Sequence, residues 1–128
     1  MQKRALGRTD LETAPLIFGG NVFGWTLDDK HSFDMIDAWL DAGFNMIDTA
    51  DVYSKWVDGH AGGESEAVLG RYFAARGNRD RMTLASKVGM EMGDGDDQLF
   101  PRRAQAHPRC KGLWLRAAPE PRARIAVS

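Results

Sequence analysis

Gly43-Phe44-Asn45-Met46-Ile47-Asp48-Thr49-Ala50-Asp51-Val52-Tyr53 is the stretch on which the reading of this chain turns. It begins with a glycine, the residue best suited to the left-handed turn that ends a helix. Phe44-Asn45-Met46-Ile47-Asp48 follows as a short strand. The run closes on Asp48, and Tyr53 lies five residues on in the loop after it. In parallel α/β proteins the carboxyl ends of the strands are where ligands bind.

Upstream, Phe33, Ile36, Trp39 and Leu40 recur at helical spacing, with Asp34, Asp37 and Asp41 turned away and Asp28 or Asp29 available as the cap. Before that helix, Leu16-Ile17-Phe18 ends at Gly19-Gly20 and reads as a strand. Earlier still, Lys3 to Leu6 and Leu11 to Thr13 flank Gly7-Arg8-Thr9-Asp10 and read as a hairpin. Downstream, a loop runs to Gly62-Gly63, and a second helix carries Val68, Leu69, Tyr72 and Phe73 on one side and ends at Gly77. Met82 to Lys87 is a further strand. The pattern predicts strands near 15–19, 44–48 and 82–86 and helices near 30–42 and 64–76. Such alternation implies parallel strands joined by right-handed helical crossovers. Periodicity alone is compatible with a (β/α)₈ barrel or an open doubly wound sheet.

The chain has 128 residues, 43% hydrophobic and 27% charged, with a net charge of −1. That balance gives no push toward nucleic acid or anionic membranes. No apolar run approaches the roughly 20 residues of a membrane helix, and Met1 to Gly7 lacks the apolar core of a secretory signal. A single cysteine, Cys110, rules out an internal disulfide and fits a cytoplasmic protein. The average hides a break after Gly93. Residues 1–93 carry 10 Lys+Arg and 14 Asp+Glu, whereas residues 94–128 carry 7 and 4. Pro101, Pro108, Pro119 and Pro121 also fall in that second part. Two units follow from this reading: 1–93, an α/β unit, and 94–128, an unrelated tail that reads as mostly disordered or as short pieces without a core of their own.

Three residues carry candidate chemistry. Asp48 ends one strand, Tyr53 lies in the loop beyond it, and Lys87 ends the next strand. A phenol beside an ammonium is a better proton donor at neutral pH than a phenol alone. A carboxylate paired with the lysine would hold it in place. Such a trio could protonate a carbonyl oxygen while hydride arrives from a nicotinamide. Taken singly, each has a bland reading as a strand-end turn, a packed tyrosine or a solvated lysine. Their joint placement makes the case.

The wording around them resembles one family. Leu6-Gly7-Arg8-Thr9-Asp10-Leu11, Phe18-Gly19-Gly20-Asn21, Ala42 through Tyr53, Gly63-Glu64-Ser65-Glu66, Leu69-Gly70 and Ala85-Ser86-Lys87-Val88-Gly89 stand in the order typical of aldo-keto reductases. The resemblance covers residues 3–93, about three of the eight strand–helix units of a (β/α)₈ TIM barrel. It implies NADPH as cofactor and aldehydes or ketones as substrates. It gives Tyr53 the proton-donor role, with Lys87 tuning it and Asp48 paired to Lys87. Gly20 and Asn21, with Asp48, match the stretch near the nicotinamide ribose, and Trp25 lies where an aromatic residue often lines the substrate pocket beside Tyr53. The family's catalytic histidine ends a fourth strand, and no such strand is legible here. His107 has the wrong neighbours, while His31 and His60 read as exposed. Cys110 and the scattered histidines lack metal-ligand spacing.

A barrel of this kind typically takes about 250 residues. The leading expectation is therefore a truncated or frame-shifted copy of an NADPH-dependent carbonyl reductase, inactive as it stands. An Ala/Pro/Arg-rich tail is what a shifted frame in GC-rich coding sequence would produce. The alternative is a non-catalytic binding or assembly subunit that completes its barrel with another chain.

Overall fold

The computed structural model describes residues 2–88, 115–116 and 124–127. The chain opens with an antiparallel hairpin of β1 (Arg4–Ala5) and β2 (Glu12–Thr13). Three parallel strands follow: β3 (Phe18–Gly19), β4 (Met46–Asp48) and β5 (Thr83–Val88). Helix α1 (Asp29–Asp41) connects β3 to β4, and α2 (Glu64–Arg76) connects β4 to β5. This is the expected order and direction, with no closed barrel. β3 and β4 are shorter than expected, with Leu16 and Ile17 outside the ladder, whereas β5 runs two residues further, to Val88.

Local chemistry sets the helix limits. Asp28 caps α1, its carboxylate accepting from the His31 N–H at 2.9 Å. At the other end Gly43 takes φ 87°, a conformation that costs any side-chain-bearing residue energy, and its N–H returns to the Leu40 carbonyl. Ile36 and Leu40 of α1 and Val68, Leu69 and Tyr72 of α2 pack with Phe23 and Ile47 into one core. Phe18, on the same face of the sheet, stacks on Phe23 with ring centroids 5.3 Å apart and meets the Trp39 edge at 5.5 Å. The Trp39 indole N–H donates to the Met46 carbonyl at 3.2 Å, pinning α1 to β4.

One expectation about α1 changes. Asp37 does not turn away from the protein: it accepts from the Tyr72 hydroxyl at 2.7 Å and pairs with Arg76, joining α1 to α2. The Arg76 guanidinium, with the Tyr72 hydroxyl adding, holds the Asp37 carboxyl below its ordinary value.

The sequence reading put no element after Gly93. The structure places two there, β6 (Leu115–Arg116) and β7 (Arg124–Val127). β7 runs antiparallel along β5, with Ala85 opposite Val127 and Val88 opposite Arg124, and β6 pairs with β7. The sheet order is β3-β4-β5-β7-β6. Arg124-Ile125-Ala126-Val127 contains two β-branched residues and no proline. The edge of β5 otherwise presents unpaired backbone groups that attract such a segment. The rest of the tail, with His107 and Cys110, lies outside the described residues. No helix among the described residues is long and apolar enough to cross a membrane.

The hairpin is held beneath the sheet by one side chain. The buried Asn45 carboxamide accepts from the Ala14 N–H at 2.9 Å and donates to the Glu12 carbonyl at 2.8 Å. Leu6 and Leu11 then cover Met46 and Ala85. Replacing Asn45 with Ala leaves both backbone groups unpaired and is expected to cost about 2 kcal/mol, read as a lower urea midpoint. An unchanged midpoint would show that apolar contacts alone hold the hairpin.

Candidate active site

The parallel register aligns Asp48 of β4 with Ala85 of β5. Side chains alternate along a strand, so Lys87 shares the face of Ala85 and Asp48 and lies just past the end of β4. Its Nζ reaches Asp48 Oδ2 at 2.6 Å and the Thr49 carbonyl at 2.8 Å. The Tyr53 hydroxyl donates to the same Asp48 Oδ2 at 2.9 Å. Lys87 Nζ lies 4.6 Å from the centroid of the Tyr53 ring, over its face. All three sequence-predicted residues therefore converge at the carboxyl end of the sheet. The lysine meets the tyrosine through the shared Asp48 oxygen and the ring face.

Backbone pairing continues past β4 and fixes the loop. The Thr49 N–H donates to the Ala85 carbonyl at 2.7 Å and the Asp51 N–H to the Lys87 carbonyl at 3.1 Å. Behind this turn lies a chain of buried hydroxyls. Ser65 Oγ donates to the Gly20 carbonyl at 2.7 Å, so its contact with Thr49 Oγ1 at 2.8 Å leaves Thr49 as the donor. The turn at Gly20–Val22 is thereby tied to the turn after β4 and to the first turn of α2.

Of the residues expected near a cofactor, Gly20 is buried and Asn21 exposed. A Cβ on Gly20 would stand 2.8 Å from the Asp48 carbonyl and 3.2 Å from Ser65 Oγ, so this glycine lets two backbones approach. Asp48 is partly exposed. Trp25 is half-exposed and meets Trp56 edge to face at 5.5 Å, and Trp56 in turn meets Tyr53 at 6.0 Å. Trp56 has no helical or strand periodicity around it that would have marked it in the sequence. His31 is exposed on Asp28, as expected, whereas His60 is half-buried, with Nδ1 3.1 Å from the Ser54 carbonyl. No group of three or more His, Cys, Asp and Glu side chains among the described residues could hold a metal ion.

The aldo/keto reductase family model matches residues 15–109. The chain belongs to the aldo/keto reductase family. It is 56% identical over 93 residues to an uncharacterized 11.2 kDa protein of Pseudescherichia vulneris, a match covering 72% of this chain and 90% of that one. It is 42% identical over 104 residues to the NADP(+) aryl-alcohol dehydrogenase of Phanerodontia chrysosporium, covering 74% of this chain and 25% of that enzyme. A holo aldo-keto reductase structure from Bacillus halodurans superposes with a TM-score of 0.59 at 32% identity, covering 78% of this chain and 30% of that one. The chain thus spans about nine-tenths of one relative and under a third of the full-length reductases. The match extends beyond Gly93, where the composition changes.

One carboxylate at this end of the sheet was not singled out by the sequence. Asp51 is buried, and neither carboxylate oxygen has a well-formed hydrogen bond among the described residues. Burial pushes its carboxyl above the ordinary value; the Val52 N–H opposes this and Glu66 adds to it. A carboxyl raised in the folded state binds its proton more tightly than in the unfolded chain. Its charge therefore destabilises the fold above the unfolded value, and stability returns as pH falls through the folded one. Asp51→Asn is expected to stabilise the chain at pH 7, with the gain shrinking toward pH 4. Thermal unfolding of both proteins at the two pH values checks this; equal effects at both would remove titration as the cause.

Proposed function

We propose that this site is the proton-donating part of a carbonyl reductase active centre, with NADPH as cofactor and an aldehyde or ketone as substrate. The observation that carries the reading is the pair of contacts on one oxygen: the Tyr53 hydroxyl and Lys87 Nζ both sit on Asp48 Oδ2 at the carboxyl end of parallel strands. When bound, the cofactor would supply hydride chemistry at the carbonyl carbon. The Tyr53 hydroxyl, rotated from Asp48 toward a bound carbonyl, supplies the proton to its oxygen. Lys87, above the Tyr53 ring face, stabilises the negative charge left on the phenol oxygen, while Asp48 holds Lys87 in place. Asn21 and Asp48 would face the nicotinamide ribose. Trp25 and Trp56 would form an apolar wall against which a planar substrate packs. The aryl-alcohol dehydrogenase activity named for one relative is in keeping with that wall.

By this reading the chain alone does not turn over. Positioning hydride donor and carbonyl together is worth up to about 7–11 kcal/mol, and these elements form one side of such a cleft. The purified chain with NADPH and benzaldehyde is expected to show no oxidation of the cofactor above the uncatalysed rate. Residues 1–88 grafted in place of the matching segment of the Bacillus halodurans enzyme should give an active barrel. In it, Tyr53→Phe should lower kcat by about 10²–10⁴-fold, the usual contribution of a general acid. A folded, active graft indifferent to Tyr53→Phe would remove the proton-donor role.

A further inference from the structure

Ser54, next to the candidate proton donor, has an unusual backbone. Its φ is 70°, the only positive value at a non-glycine residue among the described residues. A β-carbon is crowded in this left-handed region, so the conformation persists only where surrounding contacts impose it. Those contacts are present. Ser54 is fully buried. Its Oγ donates to the Phe23 carbonyl at 3.1 Å, a bond across 31 positions of sequence. Its own carbonyl accepts from the Val57 N–H at 3.1 Å and faces His60 Nδ1 at 3.1 Å. A carbonyl only accepts, so the His60 proton in that bond sits on Nδ1.

The other end of the Oγ bond is equally fixed. Phe23 is fully buried, stacked on Phe18, and its N–H closes the Gly20–Val22 turn by donating to the Gly20 carbonyl. Ser54 thus links the turn that carries Asn21 to the turn that carries Tyr53. The Thr49–Ser65–Gly20 hydroxyl chain makes a second link between these turns but attaches before Tyr53, at the strand end. Among these hydroxyls, Ser54 is the one immediately after the tyrosine.

We infer that Ser54 is a positioning residue. Its hydroxyl locks the left-handed turn and so holds the Tyr53 phenol on Asp48 and under Lys87, at a set distance from the Gly20–Val22 turn. Its significance for catalysis rests on the proton-donor reading of Tyr53, but the placement itself is independent of turnover. The test therefore reads placement, and its failure is distinct from failure of the graft experiment.

The full 128-residue chain contains two tyrosines, Tyr53 and Tyr72, so ring labelling with ¹³C at Cζ gives two resonances. Two signals report on Tyr53: its Cζ shift and the nuclear Overhauser contact between its ring and the Lys87 side chain. Ser54→Gly is the main variant, because glycine adopts φ 70° freely and the fold survives while the hydroxyl is lost. Ser54→Ala removes the hydroxyl and keeps the crowded β-carbon. The expected result in Ser54→Gly is loss of the Tyr53–Lys87 contact and a Tyr53 Cζ shift that moves toward its value in Asp48→Asn, with Tyr72 unmoved. Asn45→Ala, which loosens the far end of the sheet, should leave both Tyr53 signals in place. Parent-like signals in Ser54→Gly would overturn the inference, showing that the backbone shape alone suffices. Loss of the contact in Asn45→Ala as well would also overturn it, since the signals would then follow general loosening.

Discussion

Asp48 faces Ala85 across a parallel ladder, and nearly everything else at the site follows from that register. Lys87 stands two residues beyond Ala85 on the same face, so its ammonium extends over the end of β4 and finds the Asp48 carboxylate there. A slip of one residue would turn Lys87 to the opposite face, toward the helices, and leave Asp48 without its partner. The register is held from the helix side. Phe18, Ile47 and Leu84 meet the apolar stripes of α1 and α2, and a slipped strand would expose them. The core and the polar trio are thus two faces of one alignment.

Several polar side chains bond to backbone carbonyls of other elements. Ser65, Ser54 and Trp39 each donate to a main-chain oxygen, of Gly20, Phe23 and Met46 respectively. Each such bond satisfies a group that would otherwise be costly to bury. Each also crosses from one structural element to another. The loops after β3 and β4 therefore have little freedom relative to one another.

Much of this could be read in the sequence. The hairpin, the order of strands and helices, the Asp28 cap, the Gly43 turn and the core faces of both helices follow from local rules that need no tertiary information. Asp48, Tyr53 and Lys87 were legible because strand ends can be located and polar residues there stand out. Other features depended on contacts distant in sequence. Ser54 is one small polar residue in a loop of several, and only its partner on Phe23 distinguishes it. Asp37 looked like a solvent-facing member of a helix until α2 brought Tyr72 and Arg76 against it. Arg124–Val127 looked like part of a featureless tail because a short strand needs an edge to pair with, and that edge lies some forty residues earlier.

β7 has one more consequence. It occupies the flank of β5 where a closed barrel would continue with a strand of the same direction. A polypeptide that pairs in the parallel sense with this flank of β5 must first displace Arg124–Val127. The displaced segment is tethered to the same chain and competes at a high effective concentration. A strand offered there by another chain would therefore compete with an intramolecular cover.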